Sequence, residues 1–205
     1  MAVETNALRL AEIVAARLCH DLSGPIGSLN QALELAAADL PAESEAFALA
    51  RQAAADLARR LRWRRAAWGS DGPSLDVAGL RAIATEPRTK LDLSGVSASA
   101  FFARPMARAL MNLLLLANEG LPRGGRVALS GSGADVFVAI DGPNAAWPPG
   151  LALCLADENA AMAAMTDPRT LQMPLTVLLI RDLGLRLSIL LGAGPGVPPL
   201  RLSEP

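Results

Sequence analysis

The sequence predicts an α+β protein: a two-helix antiparallel hairpin over residues 1–70, followed by an α/β sandwich over residues 73–205. Three observations carry this. Apolar and small residues recur from Leu8 to Ala36 at alternating gaps of three and four, the spacing of a heptad seam on a long helix. Leu and Ala dominate, tyrosine is absent and aromatics make up 3% of the chain, a composition that favours helices packed through aliphatic side chains. Beyond Pro73, short apolar segments bounded by Gly and Pro alternate with helical patterns, an order that puts helices on one face of a mixed or antiparallel sheet.

Composition excludes several functions. At 205 residues with a formal net charge of −1, the chain has ample length for a core but lacks the broad basic surface of a general nucleic-acid binder. Met1 to Asn6 have neither the basic start nor the apolar stretch of a secretory signal. The apolar runs Leu113 to Ala117 and Leu187 to Ala193 fall short of the ~20 residues a membrane span needs. Cys19 and Cys154 lack the paired spacing of a zinc site or a disulfide framework. The expectation is a cytoplasmic protein with no membrane segment and no metal site of its own.

The first helix carries Leu8, Ala11, Ala15, Leu18, Leu22, Pro25, Leu29, Ala32 and Ala36 on its seam. With Leu8 at position a, His20, the only histidine, falls at f and faces solvent. Ser23, Gly24 and Gly27 border it on the same helical face, leaving room for a partner's close approach. Pro25 cannot donate to the carbonyl of Asp21, so a kink is expected one turn after His20; the alternative is that Gly24-Pro25 ends the helix. Asp39-Leu40-Pro41-Ala42 makes the turn. A second helix follows with Ala46, Ala50, Ala53, Leu57 and Leu61 on one face, ending at Gly69-Ser70-Asp71-Gly72-Pro73.

In an antiparallel hairpin turning near residue 40, residues whose numbers add to about 81 lie level. Level with His20 stands Arg59-Arg60-Leu61-Arg62-Trp63-Arg64-Arg65, and guanidinium groups bind phosphoryl oxygens and carboxylates through paired donors. The bland reading of each arginine is a solvated basic face. Two helices alone cannot bury both sides of the seam, so a second copy should complete a four-helix bundle.

In the second region, Leu75 to Ala84 reads as a short helix after Pro73-Ser74 and Leu91 to Val96 as a strand. Pro105 to Gly120 is a strong helix with Ala107, Leu110, Leu114 and Ala117 on one face. Arg126 to Ser130 and Val136 to Ile140 form a hairpin around Gly131-Ser132-Gly133-Ala134. Arg169 to Leu183 is a further helix, and Leu185 to Leu191 and Leu200 to Leu202 complete the sheet.

His20-Asp21-Leu22-Ser23-Gly24-Pro25 resembles the phosphoacceptor box of histidine kinases. The longer run from Arg17 through Asn30 to Leu33-Glu34-Leu35 resembles the histidine phosphotransferases of the ChpT type, which act in cell-cycle phosphorelays. The resemblance implies a dimerisation and phosphotransfer hairpin over 1–70 and a degenerate histidine-kinase ATPase-like domain over 73–205. It makes His20 the phosphorylated residue; Asp21 beside it reads either as a carboxylate that supports the imidazole or as an ordinary exposed one. Arg17, Ser23, Gly24, Gly27, Arg59, Arg60, Arg62 and Arg64 become candidates to receive a partner.

Asn112-Leu113-Leu114-Leu115-Leu116-Ala117 resembles the kinase nucleotide helix, but Leu116 stands where kinases hold magnesium through asparagine, and leucine has no oxygen to offer. Asp141-Gly142-Pro143-Asn144-Ala145 keeps the aspartate of the kinase Asp-x-Gly-x-Gly turn without its glycine pattern; Asp141 reads as a turn residue closing the hairpin. No paired glycines precede the 169–183 helix to cradle phosphate. The expected activity is therefore a phosphorelay carrier without ATP and without a bound cofactor. Its partners are the receiver domains of a hybrid histidine kinase and of response regulators, the receiver bringing its own Mg²⁺. The non-catalytic alternative is a dimer that sequesters response regulators.

Overall fold

A computed structural model describes residues 15, 22–36, 45–69, 72–167, 169–192 and 196–205. The chain divides into two compact units, Met1–Gly72 and Pro73–Pro205. Together they make an α+β protein with a mixed sheet. Among the described residues no helix is long and apolar enough to cross a membrane.

The first unit contains α1 (22–36) and α2 (Glu45–Trp68). α1 runs through Gly24 and Pro25 without a break, so the alternative in which this dipeptide ends the helix does not hold. The covered line along α1 is the buried Ile26 with the half-buried Ser23, Asn30 and Leu33, whereas of the expected seam residues Leu22, Pro25, Leu29 and Ala32 are exposed within one chain and Ala36 is half-buried. On α2 the same shift occurs: Phe47, Ala54, Ala58 and Leu61 are buried or half-buried, while Ala50, Ala53 and Leu57 are exposed. A helix with one neighbour can bury only one stripe, and the expected seam is the stripe left over.

The second unit begins with β1 (Leu75–Asp76), which pairs antiparallel with β3 (Phe101–Phe102), Leu75 facing Phe102. The expected 75–84 helix is shorter than its pattern: α3 is Val77–Ile83 because Asp76 caps it, accepting from the Gly79 N–H at 2.7 Å. The main sheet comprises β2 (Thr89–Val96), β4 (Gly125–Gly131), β5 (Asp135–Asp141), β6 (Arg186–Ile189) and β7 (Leu200–Ser203), in the order β2-β4-β5-β7-β6. β2 and β4 are parallel and every other pair is antiparallel.

The crossover between the parallel pair is α4 (Arg104–Glu119), as a parallel connection requires. α5 (Leu151–Ala156), α6 (Glu158–Ala163) and α7 (Gln172–Asp182) follow β5. Alternation along β4, β5 and β7 sends Val127, Leu129, Val136, Val138, Ile140, Leu200 and Leu202 into the core. Arg126, Ala128, Phe137 and Arg201 lie on the other face. At the base of the sheet Gly124, with φ +78, has no alternative: a Cβ there would sit 2.3 Å from the Arg88 carbonyl oxygen.

Three expectations need correction. The last long helix starts at Gln172, not at Arg169, because Asp167 holds Arg169 and Thr170 in a turn. Asp141 does not close the hairpin: it is the last residue of β5, opposite Arg126 at the open end, and the turn lies at 131–135, where Ser132 donates to Asp135. α5, α6 and β3 had no counterpart in the sequence reading. Elements of two to six residues are too short for a periodic signal, although Asp157-Glu158 before an Ala-rich run was a readable cap for α6, and Asp157 does accept from the Asn159 N–H at 2.9 Å.

Candidate functional site

Arg17, His20 and Asp21 lie outside the described residues. The described part of the site begins one residue later. Gly24 and Gly27 are exposed, and a Cβ built at either would meet nothing within 4 Å. Packing within this chain therefore does not demand glycine at these positions. Two interior glycines cost a helix about 1 kcal/mol each relative to alanine, and what they leave is a low, bare stretch of helix surface at residues 24–27. Pro25 is exposed on this stretch, Ser23 is half-buried and hydrogen-bonded or otherwise engaged, and Ile26 anchors the opposite side in the core.

Burial on α1 and α2 falls at matched heights. Ser23 and Ala58, Ile26 and Ala54, and Leu33 and Phe47 each add to about 81, as antiparallel helices turning near residue 40 would place them.

The arginines of α2 divide. Arg59 is half-buried and donates to Asp56 at 2.9 Å. Arg64 stands over the Trp68 ring, 5.7 Å from its centroid. Arg60 and Arg62 are exposed. The four therefore do not act as one surface: two are committed within their own helix and two point to solvent.

In the second unit, α4 is enclosed on all sides, every residue from Met106 to Ala117 being buried. Leu116 is fully buried. Asn112, also fully buried, is already occupied. Its amide donates to the Arg108 carbonyl at 3.1 Å, and its Oδ1 accepts from Gln172 Nε2 at 3.2 Å. Gln172 donates in addition to Thr176 Oγ1 at 2.9 Å, and that hydroxyl donates to the Gln172 carbonyl at 2.7 Å. Asn118 turns its amide onto the Leu114 carbonyl at 3.0 Å.

After Asp141 the chain folds back on the end of α4. Ala146 donates to the Gly120 carbonyl at 3.0 Å and Ala145 to Gly142 at 3.1 Å. No group of three or more metal-ligating side chains occurs among the described residues.

The outer sheet face is set by ion pairs. Asp92 accepts from the Ser94 N–H at 2.9 Å and from the Arg126 guanidinium, and hydrogen bonding at Ser94 and Arg126 holds its carboxyl well below the usual range. Arg201 forks onto both oxygens of Asp135 at 2.9 Å and lowers that carboxyl too. Burial pushes the Cys154 thiol up against a smaller opposing effect of Arg181, which leaves it a poor thiolate.

Residues 77–194 match the family model described as histidine phosphotransferase C-terminal domain. The chain belongs to this histidine phosphotransferase family. It is similar to the protein phosphotransferase ChpT of Brucella abortus (strain 2308), at 29% identity over 196 residues covering 91% of this chain and 92% of that protein. It is also similar to a solved bacterial phosphotransferase, at 25% identity with a TM-score of 0.58, over 98% of this chain and 96% of the other. As a histidine phosphotransferase of the ChpT type, the chain carries the family's C-terminal module from α3 to β6, while the residues that resemble the phosphoacceptor box stand in the first unit.

Proposed function

We propose that the chain relays a phosphoryl group between receiver-domain aspartates, from a hybrid histidine kinase to a response regulator, through a phosphohistidine at His20. One observation carries this reading: a member of the histidine phosphotransferase family must have a histidine to phosphorylate, and this sequence contains one. The imidazole nitrogen attacks the aspartyl phosphate of the donor; the N–P bond forms as the acyl P–O bond breaks and the donor carboxylate leaves. The reverse displacement delivers the group to the second receiver. Phosphoryl transfer depends on in-line positioning and charge neutralisation, and a receiver supplies its own Mg²⁺ and acidic pocket. This chain contributes the nucleophile, with Asp21 beside it, the bare backbone at Gly24 and Gly27 for close approach, and Arg17, Arg60 and Arg62 for an acidic partner.

ATP has no part in this reading. Several features support its exclusion: the fully buried Leu116, the Asn112 amide engaged by Gln172, and the segment after Asp141 hydrogen-bonded across the end of α4. The protein works in the cytoplasm as a homodimer. On α1 the exposed line Leu22, Pro25, Leu29 and Ala32 lies about 100° around the axis from the covered line, each residue standing one position before one of Ser23, Ile26, Asn30 and Leu33. On α2, Leu49, Ala53 and Leu57 lie about 110° from theirs, in the same rotational sense viewed from each N-terminus. Antiparallel helices so marked carry both exposed stripes on one side of the hairpin, where a second hairpin would complete a four-helix bundle.

The test is phosphotransfer from a phosphorylated receiver domain. Wild-type chain should acquire acid-labile label and His20→Ala should acquire none. Label on the variant, or a wild type that binds receivers tightly and never takes label, would overturn the relay in favour of sequestration.

A further inference from the structure

Arg59 is engaged on one nitrogen only. Its Nη1 donates to Asp56 Oδ1 at 2.9 Å, an oxygen that Gln52 Nε2 also uses at 3.2 Å. Nε and Nη2, the other edge of the guanidinium, are shut off from solvent and meet no acceptor among the described residues. A charged donor withheld from both water and an acceptor destabilises the fold, whereas an ion pair between neighbouring turns of one helix returns little. The helix thus keeps a cation whose paired-donor edge is unused, and that edge matches two oxygens of a carboxylate or a phosphoryl group.

Arg59 follows the covered residue Ala58 by one position, as Ala55 follows Ala54 and Arg62 follows Leu61. This flank lies about 100° from the covered line of α2, in the sense opposite to Ala53 and Leu57. On α1, Gly24 and Gly27 follow Ser23 and Ile26 in the same way. In antiparallel helices both flanks then fall on one side of the hairpin. Arg59 and Arg62 share that side with the bare glycines, away from the stripe left for a second copy.

We propose that Arg59 is an anion-binding residue held in reserve by Asp56. When a receiver domain docks over Gly24 and Gly27, the guanidinium leaves Asp56 and takes a carboxylate or phosphoryl group of that receiver through Nε and Nη2. The inference rests on the relay reading above and goes beyond it by naming the residue that makes the anion contact and the residue that releases it.

The experiment compares full-length variants with a phosphorylated receiver domain as donor. Arg59→Met should slow transfer by about tenfold and yet melt at a higher temperature, because it removes two stranded donors. Asp56→Asn should speed transfer by about twofold by releasing the guanidinium, and the double variant should transfer no faster than Arg59→Met. Binding of the receiver, bare and charged with beryllofluoride, separates the two anions: Arg59→Met weakens both forms if the contact is a carboxylate and the charged form alone if it is the phosphoryl group. A labelled wild type with Arg59→Met equally fast, or slow but melting lower, overturns the assignment of Arg59 alone. A gain from Asp56→Asn that persists without Arg59 overturns its release by Asp56. A wild type that takes no label from any receiver overturns the relay beneath it.

Discussion

Replacing Gln172 by leucine tests the reasoning about the interior of the second unit. Leucine fills nearly the same volume but removes the Gln172 donor, 3.2 Å from Asn112 Oδ1, and Asn112 is fully buried. Taking a donor from a buried acceptor costs up to about 1–3 kcal/mol. Leucine's greater apolarity returns part of this, leaving a net loss of about 1–2 kcal/mol. Thr176 keeps its bond to the residue 172 carbonyl. The assay is hydrogen exchange of the slowest α4 amides, which open only with the whole unit. Exchange should accelerate about tenfold. Adding Asn112→Leu removes the acceptor along with its donor and should recover much of the loss, as matched apolar replacement of a buried polar pair often does. Unchanged or slower exchange in Gln172→Leu, or no recovery in the double variant, would refute the claim that this hydrogen-bond cluster fastens α7 to α4.

Gly24→Ala should raise helix stability by about 0.5–1 kcal/mol, because the position is helical and its Cβ meets nothing in the chain. Gly24→Leu should leave the fold intact yet slow transfer from a phosphorylated receiver by tenfold or more; equal rates would show that no partner approaches there. Stability should also fall in acid. Asp92 and Asp135 have folded-state carboxyls below their unfolded values, so their contribution is present above the unfolded value of about 3.9 and is lost as pH falls toward the folded ones. Urea melts from pH 5 to pH 2 should show this loss, and Asp92→Asn should flatten it; an unchanged slope in the variant would place the acid sensitivity elsewhere.

Where the sequence was legible, the signal was long and one-sided. α4 and the β4–β5 hairpin lie within a residue of their expected bounds, because sixteen residues of apolar helix and two alternating strands around a Gly-rich turn leave few alternatives. The division between the arginines was not legible. Arg59 through Arg64 look alike in a string of letters, and only the positions of Asp56 and Trp68 on the folded helix separate those with a partner from those without. Likewise Asn112 stood out as a kinase-like residue, but its engagement by Gln172 joins positions sixty apart, a pairing no local pattern encodes.

The sequence by itself determined the class, α+β, and singled out His20, since periodicity and the uniqueness of a residue type are properties of the chain before it folds. Tertiary structure decided which stripe of each helix is covered and which is left for a second copy. Helical periodicity marks an apolar side, whereas the choice between two adjacent apolar stripes depends on where the neighbouring helix lies. The Leu22–Leu29 seam on the exposed side of α1 is the result of that choice.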